Sequence, residues 1–435
     1  MDNAMMKLAL RRAGFGSLEE WREKTGGPAA VADMALMPYL VGYELYRVRA
    51  GDTLTKIAGL YGTTVESIET ANPDVQPRRL EIGRIMVVPL GFSVVPEDVP
   101  MSWGLMRYVI RGLEARYPAL SEQVIGQTEY GRSLYRLQVG TGTRRVYYNA
   151  SHHANEWITT PAVLACLEWL LEGASRGKSC LGIPLEELLR QVTLHLVPMV
   201  NPDGVDLVVG AANANETAAA ETIARDYPEI PFPDGWKANL RGVDLNLNYP
   251  ARWDQAREIK ASQGYVSPAP RDYVGPKPLS ERESRIMFDT TEELNPDLTI
   301  AWHTQGKEIY WKFLALEPEG ARELGEQMAR ASGYRLEEIP YGSSFAGYKD
   351  WFIQDFDRPG YTIEAGEGEN PLPLSQLPEI VRDNLPIFLL GMTGAIPETG
   401  LRRAEPTMPA VKTSSVRHQE RARLPEGDGI EAAWG

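Results

Sequence analysis

Apolar and polar positions change period repeatedly along this chain. Arg145-Val146-Tyr147-Tyr148 is a short run rich in β-branched and aromatic residues, the signature of a buried strand. Residues 157–171 are apolar at helical spacing, with Pro161 in the first turn, where a missing N–H is tolerated. Further strands are predicted over 134–139, 192–200 and 298–302, and a further helix around 280–294. Strands alternating with helices in this way predict an α/β fold, with a mostly parallel or mixed sheet covered by helices. The stretches 211–233 and 249–273 read as long loops. A smaller pattern precedes this one. A strand at Tyr46-Arg47-Val48 leads to a helix over 54–61 stopped by Gly62. A second helix over 65–71 starts after Thr63-Thr64 and ends at Asn72-Pro73, and a strand closes the unit over 85–89.

Polar chemistry collects where the apolar runs stop. Asn149-Ala150-Ser151-His152-His153-Ala154-Asn155-Glu156-Trp157 places His153 at the carboxyl end of a strand and Glu156 at the mouth of the next helix. In open α/β sheets that edge is the ligand crevice. An imidazole and a carboxylate three residues apart can converge on one ion, and a catalytic zinc needs a third protein ligand and an open position. Pairing His152 at the same spacing gives Asn155, a poor zinc ligand, so His153 is the better reading. His303 ends another strand-like run and is the third ligand candidate; His195 lies inside a strand pattern and reads as structural, and His418 lies in a polar tail. Glu364 ends the run Gly360-Tyr361-Thr362-Ile363 and is flanked by glycine; it is either a solvated loop acid or, beside a metal-activated water, the general base.

Four blocks carry a family resemblance: Ser151-His152-His153-Ala154-Asn155-Glu156-Trp157-Ile158; Asn201-Pro202-Asp203-Gly204 with Trp236-Lys237-Ala238-Asn239-Leu240-Arg241-Gly242-Val243-Asp244-Leu245-Asn246; Trp302-His303-Thr304-Gln305-Gly306; and Thr362-Ile363-Glu364-Ala365-Gly366 followed by Glu369-Asn370-Pro371. In order and spacing the chain from about 103 to 390 resembles the zinc carboxypeptidases, and within them the bacterial γ-D-glutamyl-diamino acid peptidases. The resemblance implies one Zn2+ held by His153, Glu156 and His303, and Glu364 as general base. Lys237 matches the arginine that would polarise the scissile carbonyl, with Arg241 as its rival. Asn246, Gln305 and Tyr348 are implied substrate contacts, with Tyr341 an alternative to Tyr348 because the family's tyrosine falls on Ile353 here. The family's Asn-Arg pair is Asn246-Leu247 in this chain. Leucine cannot clamp a terminal carboxylate as an arginine fork does, which disfavours removal of a simple C-terminal residue. A zinc carboxypeptidase acting on ordinary C-termini and a non-catalytic wall- or chitin-binding protein are the rival readings.

The smaller β-α-α-β unit, with Gly51-Asp52-Thr53-Leu54, Ile57-Ala58, Ala71-Asn72-Pro73 and Ile82-Gly83, resembles a LysM domain. That resemblance implies binding of N-acetylglucosamine-containing glycan such as peptidoglycan, through Gly51, Asp52, Thr53 and Asn72 with the loop after it. With stem peptides as substrate, the partners implied are peptidoglycan peptide and peptidoglycan glycan.

Composition adds bounds. At 435 residues, 43% hydrophobic and 24% charged, the chain is ordinary globular protein with room for more than one domain. A net charge of −14 argues against a nucleic-acid partner and gives no polybasic footing on a membrane. No apolar run is long enough to span a bilayer. Two cysteines, Cys166 and Cys180, make neither a disulfide framework nor a metal pattern. The predicted organisation is an unassigned segment 1–42 (the remnant of a first LysM copy is one reading), a LysM module 43–90, a linker 91–101, a catalytic domain 102–393 and a disordered polar tail 394–435. Residues 1–12 lack the apolar core of a secretory signal. Cytoplasmic processing, release by lysis, deposition in a spore or wall, and a mispredicted start are the routes this leaves.

Overall fold

The computed structural model describes residues 1–394; the predicted tail from 395 on and His418 lie outside the described residues. The described residues divide into two compact units, one holding Met1–Val94 with Arg107–Pro118, the other Val95–Met106 with 119–394.

In the first unit, strand β1 (Tyr43–Arg47) pairs antiparallel with β2 (Ile85–Pro89), from Tyr43 opposite Pro89 to Arg47 opposite Ile85. Between them run helices Leu54–Tyr61 and Val65–Ala71. The sequence fixes their ends: Thr53 and Thr64 accept from Lys56 N and Ser67 N as N-caps, and Gly62 takes the left-handed conformation that stops the first helix. Val48, Leu54, Ile57, Ala58, Ile68, Met86 and Val88 form the core. Residues before β1 form helices Asn3–Arg12, Leu18–Thr25 and Ala32–Val41, with no strand. They therefore lack the β-α-α-β order of a second LysM copy; Asp2 and Ser17 cap the first two helices, and Leu8, Trp21, Leu36 and Leu40 are buried. Arg116, at the end of helix Trp103–Arg116, donates to the carbonyls of Gly42 (2.9 Å), Phe92 (2.7 Å) and Leu90 (2.8 Å).

The second unit is built on an eight-stranded mixed sheet. Its strands are β3 (Ser121–Gln127), β4 (Ser133–Val139), β5 (Arg144–Ala150), β8 (Val192–Val197), β9 (Leu298–His303), β10 (Glu308–Tyr310), β11 (Arg335–Glu337) and β12 (Gly360–Glu364), while β6 (Ser179–Cys180) and β7 (Ile183–Pro184) make a separate small hairpin. The order across the sheet is β11-β10-β12-β9-β5-β8-β4-β3. The central neighbours β8, β5, β9 and β12 run parallel; β3, β4 and β10 pair antiparallel with β4, β8 and β12. Every residue of β8 and β9 is buried, as expected for strands covered on both faces. Helix Leu377–Gly394 packs against both Thr159–Ser175 and Ala321–Ser332, and Tyr348–Phe356 packs on β9 and β12.

Two stretches read as loops contain helices. Ala214–Ala224 lies within the first and is closed by an Asn213–Glu216 capping box. Trp253–Ser262 lies within the second and follows Arg252 in the left-handed conformation, with no side-chain cap. The helix predicted from Trp157 begins at Thr159, after a 3-10 turn at Ala154–Glu156. No helix of the described residues is long and apolar enough to cross a membrane.

Candidate metal centre

Strands β5, β9 and β12 are adjacent and parallel, so their carboxyl ends share one edge of the sheet, with Ala150 opposite Trp302 and His303 opposite Glu364. Beyond β5 the chain reverses at Ser151, whose φ is 53° and whose Oγ lies 2.9 Å from Thr159 Oγ1 and 2.8 Å from Thr160 Oγ1. That reversal sends two neighbouring histidines in different directions. His152 turns inward, fully buried, with Nε2 at 3.0 Å from Tyr249 Oη. His153 turns toward Glu156 and β9, its loop pinned by Ala154 N donating to Lys237 O at 3.0 Å.

His153 Nδ1 lies 2.9 Å from Glu156 Oε1, His303 Nδ1 lies 2.9 Å from Glu156 Oε2, and the two Nδ1 atoms are 3.2 Å apart. His153, Glu156 and His303 are the one group among the described residues with three such ligand atoms within 4.8 Å of one another. On its far side His153 Nε2 meets Asp244 Oδ1 at 3.1 Å. A carboxylate there holds the proton on Nε2 and leaves the Nδ1 lone pair facing the other two ligands. Two lone pairs and a carboxylate pointed at one spot repel unless a cation lies among them. Two zinc–nitrogen bonds of about 2.1 Å at a tetrahedral angle put their nitrogens about 3.4 Å apart, which this spacing fits.

The surroundings set the charge states. Burial alone would depress the His153 imidazolium, but the carboxylates of Glu156 and Asp244 outweigh it and push the pKa up to about 9, so a proton competes with metal for this nitrogen. Glu156 is buried, which favours its neutral form, yet His153 and Lys237 hold it well below the usual carboxylate range. Glu364, at the end of β12, is pushed up to about 8 by burial and by the charge of Glu156, an effect the positive charge of a bound cation opposes. A carboxyl so placed is poised to exchange protons near neutrality. Asp244 is buried, yet His153 and Lys237 keep it ionised, its pKa lowered.

The two rivals for carbonyl polarisation separate. Lys237 Nζ lies 3.1 Å from Glu156 Oε1, inside the ligand cluster. Arg241 is exposed and turns to Glu281, with Nε at 3.3 Å from Oε2. Tyr348 is not available to a substrate: it is fully buried, its Oη 2.9 Å from Thr291 Oγ1, and it packs edge-on to Tyr147 and Tyr249. It heads helix Tyr348–Phe356, which packs on β9 and β12, and its aromatic ring fills core. Tyr341 is 70% exposed, and Ile353 is in the core. Asn246 is half-buried and spends Oδ1 on Tyr348 N at 3.0 Å, which makes it a brace for that helix. Gln305 is exposed and follows Thr304 across a cis peptide bond. Leu247 packs against the core.

Three contributors had no assigned role in the sequence. Asp244 backs His153. Thr304 N donates to Glu156 Oε2 at 3.3 Å, and Asn370 Nδ2 lies 3.0 Å from Thr304 O while its Oδ1 accepts from Thr304 Oγ1 at 2.7 Å. Each lies inside a motif block, and its partner is far away in sequence.

In the smaller unit Gly51 is exposed with φ 82°, and Asp52 Oδ2 accepts from Tyr46 Oη (2.8 Å) and Arg49 N (2.7 Å), shaping the turn that precedes the Thr53 cap. Asn72 departs from its implied role as a ligand contact. It is 8% exposed, donates to Ile68 O and Val87 O at 2.7 Å each, and accepts from Val87 N at 2.9 Å, so its amide ties helix to strand.

The zinc carboxypeptidase family model matches residues 106–387, and the LysM domain model matches 46–89. The γ-D-glutamyl-L-diamino acid endopeptidase 1 of Lysinibacillus sphaericus is 42% identical over 290 residues, covering 67% of this chain and 72% of that protein. YqgT of Bacillus subtilis, an uncharacterised protein, is 34% identical over 323 residues, covering 73% of this chain and 82% of its own length. Carboxypeptidase A of Helicoverpa armigera shares the fold, with TM-score 0.53 at 18% identity over 79% of this chain and 81% of that one. The chain belongs to the zinc carboxypeptidase family, with a LysM domain before its catalytic unit, and is a zinc metallopeptidase.

Proposed function

We propose that this protein hydrolyses the γ-D-glutamyl–diamino acid bond of peptidoglycan stem peptides, with the LysM domain holding it to N-acetylglucosamine-containing glycan. One observation carries the reading. An intact ligand triad with its acid, His153, Glu156, His303 and Glu364, occurs together with Leu247 in the place of the terminal-carboxylate arginine. An isopeptide bond beside D-glutamate needs no grip on a free terminus. The 42% identical relative, named for this cleavage, supports the same substrate class.

Bound zinc supplies Lewis-acid activation of a water molecule and of the scissile carbonyl. Glu364 takes the proton of the attacking water and delivers it to the departing amine of the diamino acid. Lys237 Nζ, a part-buried point charge, supports the negative charge that develops on the γ-carbonyl oxygen. Asp244 keeps His153 in the ligating tautomer.

Incubation with L-Ala-γ-D-Glu-meso-diaminopimelate, with and without chelator, tests this when products are identified by mass. Release of diaminopimelate and L-Ala-D-Glu, abolished by chelator, is the expected result. Cleavage confined to peptides ending in a free aliphatic residue would establish the ordinary carboxypeptidase instead, and chelator-independent inertness on both would leave a binding protein.

A further inference from the structure

With Leu247 half-buried against the core, nothing at that position grips an anion, yet a γ-linked D-glutamyl residue carries a free α-carboxylate close to the bond being cut. A different arginine lies beside the site. Pro270 O accepts from Lys237 N at 2.8 Å and from Ala238 N at 2.9 Å, while Asp272 N donates to Asp244 Oδ2 at 3.3 Å and Tyr273 O accepts from Asp244 N at 2.8 Å. Residue 271 is thus pinned on both sides to the segment that carries Lys237 and Asp244. Asp272 adopts a left-handed φ of 66°, which aspartate tolerates better than most residues. Its carboxylate takes Arg271 Nε at 2.6 Å and is also paired with Lys260.

That contact uses the inner edge of the guanidinium, and the Arg271 side chain is 40% exposed. Its charge reaches the centre: it acts on part-buried Lys237, and Asp244 in turn acts on it. The terminal edge of a guanidinium offers a planar pair of donors that matches a carboxylate, which a lysine ammonium does not. Because Lys237 supports the carbonyl under attack, the 270–273 segment flanks the acyl side of the scissile bond. On that side the substrate's fixed anion is the D-glutamyl α-carboxylate, joined to the γ-carbonyl through the α-carbon and two methylenes.

We propose that Arg271, anchored by Asp272, binds the free α-carboxylate of the D-glutamyl residue and so makes the enzyme selective for γ-linked substrates bearing that acid. The inference rests on the substrate class proposed above. The test pairs two peptides, L-Ala-γ-D-Glu-meso-diaminopimelate and the same peptide with the D-glutamyl α-carboxylate converted to the amide. Each is measured for kcat/KM with wild type, Arg271→Met and Arg271→Lys. Equilibrium binding of both peptides is measured by calorimetry on Glu364→Gln, with and without Arg271→Met.

Wild type is expected to favour the acid over the amide by about 10- to 100-fold, the range of one charge-assisted contact. Arg271→Met erases the preference by losing rate and affinity on the acid alone, and Arg271→Lys keeps part of it. An undiminished preference in Arg271→Met overturns the assignment. An equal loss on both peptides also overturns it, since that marks a residue needed only to hold the 237–244 segment in place. If wild type cleaves neither peptide, the hydrolase reading fails, while the calorimetric comparison still decides whether Arg271 reads the carboxylate.

Discussion

Asp244 offers a sharp test of how the metal centre is held, because Asp244→Asn changes one atom and one charge without changing shape. Asp244 Oδ1 faces His153 Nε2 at 3.1 Å and Asn246 N at 3.2 Å, and Oδ2 faces Asp272 N at 3.3 Å. All three partners are donors when His153 ligates through Nδ1. An asparagine has only one acceptor oxygen. Turned one way, its amide nitrogen meets Asp272 N; turned the other way, it meets His153 Nε2 and drives the ring proton to Nδ1, the ligating atom. Both orientations lose a contact, and the charge that raised the basicity of His153 is gone. Loss of such an outer partner costs about 10- to 100-fold in metal affinity, or about 1.4–2.8 kcal/mol. Competition of zinc against a calibrated chelator, at fixed pH, measures it directly. The thermal midpoint of the zinc-free protein serves as the control for folding. A variant that binds zinc within twofold of wild type refutes the claim that Asp244 sets the tautomer of His153.

Glu364→Gln should leave zinc content unchanged and lower kcat by about 10²- to 10⁴-fold, read by metal analysis alongside single-turnover cleavage. His195, buried on β8, has its pKa depressed to about 4 by burial and by Arg136 and Arg145. The unfolded histidine takes up its proton near pH 6.5 and the folded one only near 4, so this stability is complete above 6.5 and is lost as pH falls through that window. The difference corresponds to about 3 kcal/mol, so His195→Gln should lose that much less stability than wild type between pH 7 and 4 in denaturant titrations. Asn72→Ala should destabilise the LysM unit by about 2–3 kcal/mol through the stranded Val87 N–H and the lost carbonyl partners. Retention on peptidoglycan sacculi should then fail only above the lowered unfolding temperature; failure below it would make Asn72 a direct contact.

The strands and the ligand trio were legible because each is written locally. Apolar runs mark β5, β8 and β9, and His153, Glu156, His303 and Glu364 each stand where such a run or its following turn ends. The LysM helices were legible to the residue because threonine caps and a glycine stop mark their ends. Helix Ala214–Ala224 was missed because it buries only Glu216 and Ala220, leaving no apolar stripe to find. Helix Trp253–Ser262 was missed because it starts without a capping side chain. The partnership of Asp244 with His153 spans 91 residues, and the choice between Lys237 and Arg241 turns on Glu281, which takes up Arg241. Neither leaves a local trace. Tyr348 was misplaced because an aromatic beside a motif looks the same in sequence whether it lines a cleft or fills a core.

The alignment of β5, β9 and β12 has a consequence for the timing of activity. Their working side chains come from residues 153, 303 and 364 and meet only when three neighbouring strands are zipped in one specific alignment. A slip of one place between β9 and β5 would swing His303 to the opposite face of the sheet. A half-made chain, or a collapsed one with its ribbons misaligned, therefore has no bond-cutting power, and the ribosome must synthesise past Glu364 before the enzyme can cut anything. Hydrolytic competence arrives late and all at once.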